Sequence, residues 1–338
     1  MIRLQEFMIP FYKKIKILNR QALYGKVILI TGSNGLIGGN ILTFLNYLSE
    51  KNDLNLSIIA VSKSKKNSWL PNTKRIKYIE EDLSFEKSKS LSRPFDYVIH
   101  AATYAQPKKF LAGKKQTVIL NINTLFNILE QAKKNKAKVL YISSSEIYGE
   151  TSIDKLVTED FFGKVNTLSD RAIYAESKRL AESICYSYRN DINIKIARLL
   201  LSYGPGIKKT DERVYSEFIR KAHSTGKIAM IDAGLAKRNF CFITDAVEML
   251  INIMISGKEF VYNVAGVDTT TISVLAKKIA KINKAEFIGY RENKKKITGT
   301  PKNSVISNQR YRKEFKKKKF VSLTEGLKST SAWYKNLK

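Results

Sequence analysis

The chain has 338 residues, 43% hydrophobic and 27% charged, a composition that suits a folded globular protein with one large α/β domain and a smaller one. No apolar run approaches the roughly 18 residues of a membrane span, and two isolated cysteines with two histidines provide neither a disulfide framework nor a zinc set. The formal net charge of +30 invites a nucleic-acid reading, but it is mostly lysine spread along the chain rather than arginine interleaved with aromatics, so no nucleic-acid partner is expected.

Residues 1–24 read as an amphipathic extension, broken at Ile9-Pro10, with a short helix packed on the domain. The segment lacks the continuous apolar core of a secretory signal. Cys185 and Cys241 sit in apolar patterns and read as buried, reduced thiols, so a cytoplasmic location is expected. Residues 26–30 form a short β-branched run typical of a buried parallel strand. Thr31-Gly32-Ser33-Asn34-Gly35-Leu36-Ile37-Gly38 follows at once, and helical apolar spacing then runs through Ile41, Leu42, Phe44, Leu45 and Leu48. In this G-x-x-G-x-x-G turn Gly32 permits the tight bend, Gly35 the close approach of a pyrophosphate, and Gly38 the packing of helix on strand. The phosphates would meet free N–H groups and the helix dipole around Asn34, Leu36 and Ile37.

Residues 56–61 read as a second strand, and 76–79 as a third that ends in Glu80-Glu81-Asp82-Leu83. A fourth covers 97–100 and runs into Ala101-Ala102-Thr103. One long helix is expected over about 116–134, then a fifth strand at 138–142 leading to Ser143-Ser144-Ser145-Glu146. A further helix carries Tyr174 and Lys178 to about residue 189, and 192–198 is a sixth strand. This rhythm predicts a doubly wound, parallel, Rossmann-like sheet over 25–200. Beyond Leu199 the rhythm breaks into a turn at 202–206, a mostly helical stretch to about 237, strands at 239–243 and 260–264 returning to the sheet, and a helix from Thr271. Residues 201–330 are therefore expected to form a smaller, interleaved substrate lobe, with 331–338 as a tail.

Tyr174 and Lys178 lie four apart on a helix and so share one face. The ammonium is expected to pull the phenol down from its usual pKa of about 10, toward the range of a general base. Ser144 can hydrogen-bond a substrate hydroxyl while Tyr174 removes its proton.

These pieces, with Asn123, Ala197-Arg198, Tyr203-Gly204-Pro205, Arg238-Asn239-Phe240 and Asp245, occur in the order found in extended short-chain dehydrogenases/reductases. The chain resembles the sugar-nucleotide branch of that family, and most of all its UDP-glucuronate decarboxylases. The resemblance implies oxidation of a nucleotide sugar at C4 with NAD, contacted by the glycine turn, Asp82, Leu83, Ala101, Ala102, Tyr174 and Lys178. It implies substrate contacts from Asn123 and Arg213, and a diphosphate clamp from Arg198 and Arg238, which otherwise read as ion-paired arginines. It also implies a homodimer through the Tyr174 helix and its preceding neighbour. Sugar-nucleotide 4,6-dehydratases have an Asp-Glu pair where this chain has Ser145-Glu146; the serine disfavours dehydration, and Glu146 stays as a possible base at C5. Epimerisation and simple 4-dehydrogenation stay open, as does a non-catalytic nucleotide- or RNA-binding member, although Ser144, Tyr174 and Lys178 are all present.

Two stretches depart from the pattern. Where the decarboxylases have tyrosines, this chain reads Lys108-Lys109-Phe110-Leu111-Ala112-Gly113. At the end of the second strand, Ser62-Lys63 replaces the acidic residue that holds the NAD ribose, which leaves NADP open beside NAD.

Overall fold

In the computed structural model, which describes residues 2–85, 88–149, 151, 156–290 and 303–337, the chain opens with α1 (Leu4–Tyr12). Its buried Leu4, Met8 and Tyr12 recur every four residues and so share one face, which packs on the helix of the glycine turn. Pro10 does not break this helix as expected. It lies in the last turn, where only one intrahelical bond is forgone before the helix ends.

The expected strands follow in order: β1 (Val27–Thr31), then α2 (Leu36–Asn52), β2 (Ser57–Ser62), β3 (Ile76–Glu80) and β4 (Tyr97–His100), with no helix between β2, β3 and β4 among the described residues. Helix α3 (Pro107–Ala112) occupies a stretch that carried no expected element, with its proline in the first turn. The long helix expected at 116–134 is two, α4 (Lys114–Asn121) and α5 (Asn123–Asn135), divided at Ile122. Then come β5 (Lys138–Ser144), α6 (Ala172–Ser187) and β6 (Ile194–Leu199).

The remainder departs more from expectation. Residues 202–206 begin as β7 (Ser202–Tyr203), and α7 (Val214–Thr225) is the only helix between residues 204 and 237. Gly226, at φ 67° in the left-handed region, ends it. Then follow β8 (Lys227–Ala229), β9 (Lys237–Asn239), β10 (Cys241–Phe242), α8 (Ile243–Ser256), β11 (Val261–Val264), β12 (Thr269–Thr271) and α9 (Ile272–Asn283). Thr271 caps α9 by accepting from the Val274 N–H, the start that the sequence marks. Last are β13 (Glu286–Ile288), β14 (Asn303–Ser304), α10 (Gln309–Phe315) and α11 (Leu323–Asn336). Residues 331–336 are thus helix rather than tail. The fully buried Trp333 of α11 donates to the Ile207 carbonyl at 3.2 Å and meets Phe7 and Trp69 edge-on. Burying a ring of that size removes about 200 Å² from water, at most roughly 5 kcal/mol.

Seven strands form one parallel sheet in the order β11-β6-β5-β4-β1-β2-β3. Side chains alternate across it. Ile28 and Ile30 of β1 face a core shared with α2 and α8, while Leu29 faces α5 and α6. Both faces are therefore covered, which is why the strands read as unbroken apolar runs. The order reverses between β1 and β4, where Thr31 is in register with His100, and ligands of such sheets bind beyond the strand ends at this switch point. Of the two later strands expected to return to the sheet, 260–264 does so as β11 beside β6, whereas 239–243 is divided between the end of β9, which pairs with β12 and β14, and β10, which pairs with β7.

Candidate active site

At the switch point the glycine turn has no room for side chains. Gly32 has φ 69°, and a Cβ there would lie 2.8 Å from the Ala101 carbonyl oxygen and 2.9 Å from the Ala102 Cα. A Cβ on Gly38 would collide with the Gly32 carbonyl. Gly35 caps α2 with extended backbone, so the N–H groups around buried Leu36 and half-buried Ile37 head the helix. A cradle this tight at a helix N-terminus fits a dinucleotide pyrophosphate. It is braced from below. His100 Nε2 donates to the Leu120 carbonyl at 3.1 Å, so Nδ1 accepts from the Thr31 hydroxyl at 2.8 Å, and that hydroxyl accepts the Ala102 N–H at 3.2 Å. Burial, and then Lys178, push His100 down to about 3, which keeps it neutral.

Asn34 points away from this cradle. Its amide donates to the carbonyls of Ser64 and Lys65 at 2.7 and 2.6 Å and fixes the loop after β2. In that loop Ser62 Oγ turns to the Ser64 carbonyl at 2.8 Å. Lys63 Nζ sits 2.9 Å from Asp82 and 3.2 Å from Tyr104 OH. Burial raises the Asp82 carboxyl, but hydrogen bonds from Lys63 and Ser84 outweigh it and hold the group below the usual range. Leu83 is buried, and its carbonyl accepts from Thr124 at 2.7 Å.

Ser144 ends β5, and its hydroxyl accepts the Glu146 N–H at 3.2 Å. Tyr174, on the first turn of α6, lies near enough to Ser144 for the serine to act on its phenol, so the expected pair does meet. The expected pKa shift does not occur. Burial pushes the Tyr174 phenol up, against the opposing hydrogen bond of Ser144, and Lys178 is not among the groups that lower it. Lys178 is itself desolvated to about 7. Its ammonium donates to the Ile142 carbonyl at 2.8 Å and lies 4.6 Å from the centre of the Tyr141 ring. Burial thus acts on both groups more strongly than they act on each other.

Ser145 and Glu146 form a one-turn 3-10 helix beyond Ser144, both half-buried. Glu146 Oε1 accepts from Arg171 at 2.7 Å. Arg171 was not singled out from the sequence, although it is three residues before Tyr174 and seven before Lys178, the spacing of one helical face. Arg238, half-buried on β9, feels the charges of both Glu146 and Arg171. The other expected substrate contacts do not converge here. Arg198 is committed: it grips Glu182 through Nε and Nη2 at 2.8–3.1 Å and spends Nη1 on Tyr148 OH and the Glu159 carbonyl. Arg213 forms a bidentate pair with Asp211 and donates to the Ser202 carbonyl. Asn123 is exposed at the start of α5. The buried amide is Asn121, which donates to Ser177 Oγ and accepts from Thr103, both at 2.9 Å.

A parallel sheet with a glycine cradle at its switch point, and a Ser–Tyr–Lys group beside it, defines a dinucleotide-dependent enzyme of the α/β class. The chain belongs to the NAD dependent epimerase/dehydratase family, whose model matches residues 28–265. It is 30% identical over 263 residues to UDP-glucuronic acid decarboxylase 6 of Arabidopsis thaliana, covering 77% of this chain and 75% of that one. An epimerase from Methanothermobacter thermautotrophicus shares the fold at a TM-score of 0.80 and 20% identity, over 94% of this chain and 95% of its own. A dTDP-glucose 4,6-dehydratase from Streptomyces venezuelae, solved with NAD, does so at 0.76 and 18%, over 91% and 97%. The class is thus that of the epimerases, dehydratases and decarboxylases. Among the described residues, no helix is long and apolar enough to cross a membrane.

Proposed function

We propose that this protein oxidises a nucleotide sugar at C4 and that the reaction it then carries out is decarboxylation of a uronate such as UDP-glucuronate. The observation that carries this is the pairing of Ser145 with an arginine-bound Glu146 next to Ser144 and Tyr174. Dehydration needs an acid where Ser145 stands. Ser144 would donate to the C4 oxygen while Tyr174 takes the proton of that hydroxyl, with Ser144 and then Arg171 offsetting part of the burial that opposes the phenolate. Bound NAD supplies the hydride acceptor for C4, and the glycine turn, Ala101, Ala102 and Lys178 would hold it. A ketone at C4 turns a C6 carboxylate into a β-keto acid: the bond to the carboxylate breaks, its electron pair enters the carbonyl as an enolate, and CO2 departs. The enolate then takes a proton at C5, for which Glu146 in its acid form would be the donor, and return of the hydride to C4 would restore the hydroxyl, so that no cofactor is consumed. The 30% identity to a UDP-glucuronic acid decarboxylase supports the same choice.

NAD rather than NADP is the cofactor we assign, because Ser62 is turned into its own loop and Lys63 is engaged by Asp82 and Tyr104. A homodimer is supported by exposed Phe126 on α5 with Leu180 and Tyr186 on α6. A solution mass of one chain would refute it. The activity itself is tested by mass spectrometry after incubation with UDP-glucuronate and with UDP-, GDP- and dTDP-hexoses. Loss of CO2 from the uronate is expected; loss of water from a hexose, or an unchanged mass with inverted C4, would replace this reading.

A further inference from the structure

We infer that Arg171 is the residue that selects an acidic sugar: its Nη2 holds Glu146 at 2.7 Å, its plane covers Phe110, and its buried Nε has no hydrogen-bond partner and is left for the substrate carboxylate. This rests on the nucleotide-sugar reading above and adds the group that reads the acid. A guanidinium presents separate edges, so it can serve two carboxylates at once, as an ammonium cannot. A buried N–H without an acceptor is uncommon in native structures, and a ligand that completes the bonding is one explanation for it.

Geometry ties that donor to the reaction. Arg171 is one helical turn before Tyr174, on the same face. The Phe110 ring lies against both, its centroid 4.9 Å from that of Tyr174 and 5.5 Å from the Arg171 guanidinium carbon. A sugar that reaches Tyr174 must lift Phe110 from both residues, and the same displacement uncovers the Arg171 side chain. Gln106, next to the first residue of α3, carries a second buried and unpartnered polar atom, Oε1, so the segment that has to move is itself incompletely bonded. A neutral hexose would offer Nε only a hydroxyl oxygen; a C6 carboxylate would accept the same bond with a full charge behind it.

The test is calorimetric titration of the NAD-loaded protein with UDP-glucuronate, UDP-glucose and UDP, for the wild type and for Arg171→Met, Arg171→Gln and Arg171→Lys. The wild type should prefer the uronate over the hexose by at least about tenfold, the weight of one charge-assisted hydrogen bond. Arg171→Met and Arg171→Gln should bring that ratio close to one with UDP affinity unchanged, and Arg171→Lys should keep part of it. UDP binding reports an intact site, so if one variant fails to fold the other two decide. A preserved ratio in the neutral variants, or no preference in the wild type, overturns the assignment. Decarboxylation by a wild type whose variants keep the ratio sinks the assignment alone; turnover of UDP-glucose with none of the uronate sinks the decarboxylase reading as well.

Discussion

The ring of Phe110 lies flat on that of Tyr174, with centroids 4.9 Å apart and planes 13° from parallel. Phe110 belongs to α3, the stretch where the sequence departs from the decarboxylase tyrosines. That helix and the residue before it are tied to the segment ahead of α7, by Lys108 to Glu212 at 3.0 Å and by Gln106 to Asp211 at 3.4 Å. The departure is therefore not remote from the chemistry: it forms the roof of the tyrosine.

Replacing Tyr174 by phenylalanine keeps the stack and removes the hydroxyl. Turnover should fall by about 10²–10⁴, the usual weight of a positioned proton-transfer group. NAD affinity and the thermal midpoint should stay near wild type. Steady-state kinetics beside a cofactor titration would decide, and full activity would remove Tyr174 from the reaction.

Arg198 should behave as a structural residue. Its side chain and that of Glu182 are 13% and 11% exposed, so Arg198→Met strands a buried carboxylate and should lower unfolding free energy by about 3–5 kcal/mol in urea. UDP affinity of the protein that remains folded should not change. A variant of normal stability that had lost UDP binding would restore the phosphate-clamp reading.

Lys178 gives stability a pH dependence of known sign. Burial lowers it from the ordinary 10.5 to about 7, against a smaller pull from Glu182. Between those values the unfolded chain keeps a proton that the folded chain has shed. The contribution therefore grows more favourable as pH rises through that window, and the penalty is complete below it. The slope is at most about 1.4 kcal/mol per pH unit. Lys178→Met should thus exceed wild type in stability most at pH 7 and below, with the gap closing toward pH 10. Denaturant titrations giving a pH-independent gap would mean that the folded lysine stays protonated.

Cofactor choice is open to direct binding measurement. With Lys63 held by Asp82 and Tyr104, NAD should bind more tightly than NADP by about tenfold or more, a difference of about 1.4 kcal/mol. Lys63→Ala should leave that order intact. Equal affinities in the wild type, with NADP binding lost on Lys63→Ala, would show that the lysine turns to a 2′-phosphate.

The sheet was legible because buried parallel strands are written as apolar runs and most of its crossovers carry a helix. The glycine turn was legible because its spacing encodes sterics. Legibility failed where a side chain's direction mattered more than its type. Asn123 and Asn121 differ by two positions, on either side of the break at Ile122, and only the second turns inward to Ser177. Arg198 and Arg213 looked like anion ligands because their partners, Glu182 and Asp211, are chosen by tertiary packing or a local turn that spacing does not reveal. Arg171 was missed although its periodicity with Tyr174 and Lys178 was available. The end of α11 from residue 331 was read as a tail because its polar residues outnumber the few, such as Trp333, that anchor it.

Glu182 also accepts from Ser143 at 2.6 Å, so a single carboxylate fastens the end of β5, the middle of α6 and β6 together. Ser144 is the next residue on that strand, and Lys178 is one turn back on that helix. The relative placement of the two candidate site residues is thus inherited from a joint built of other side chains. In a mutational survey scored on product formation alone, Glu182 and Arg198 would be indistinguishable from Tyr174. Measuring protein abundance in parallel would separate the joint from the tool it holds.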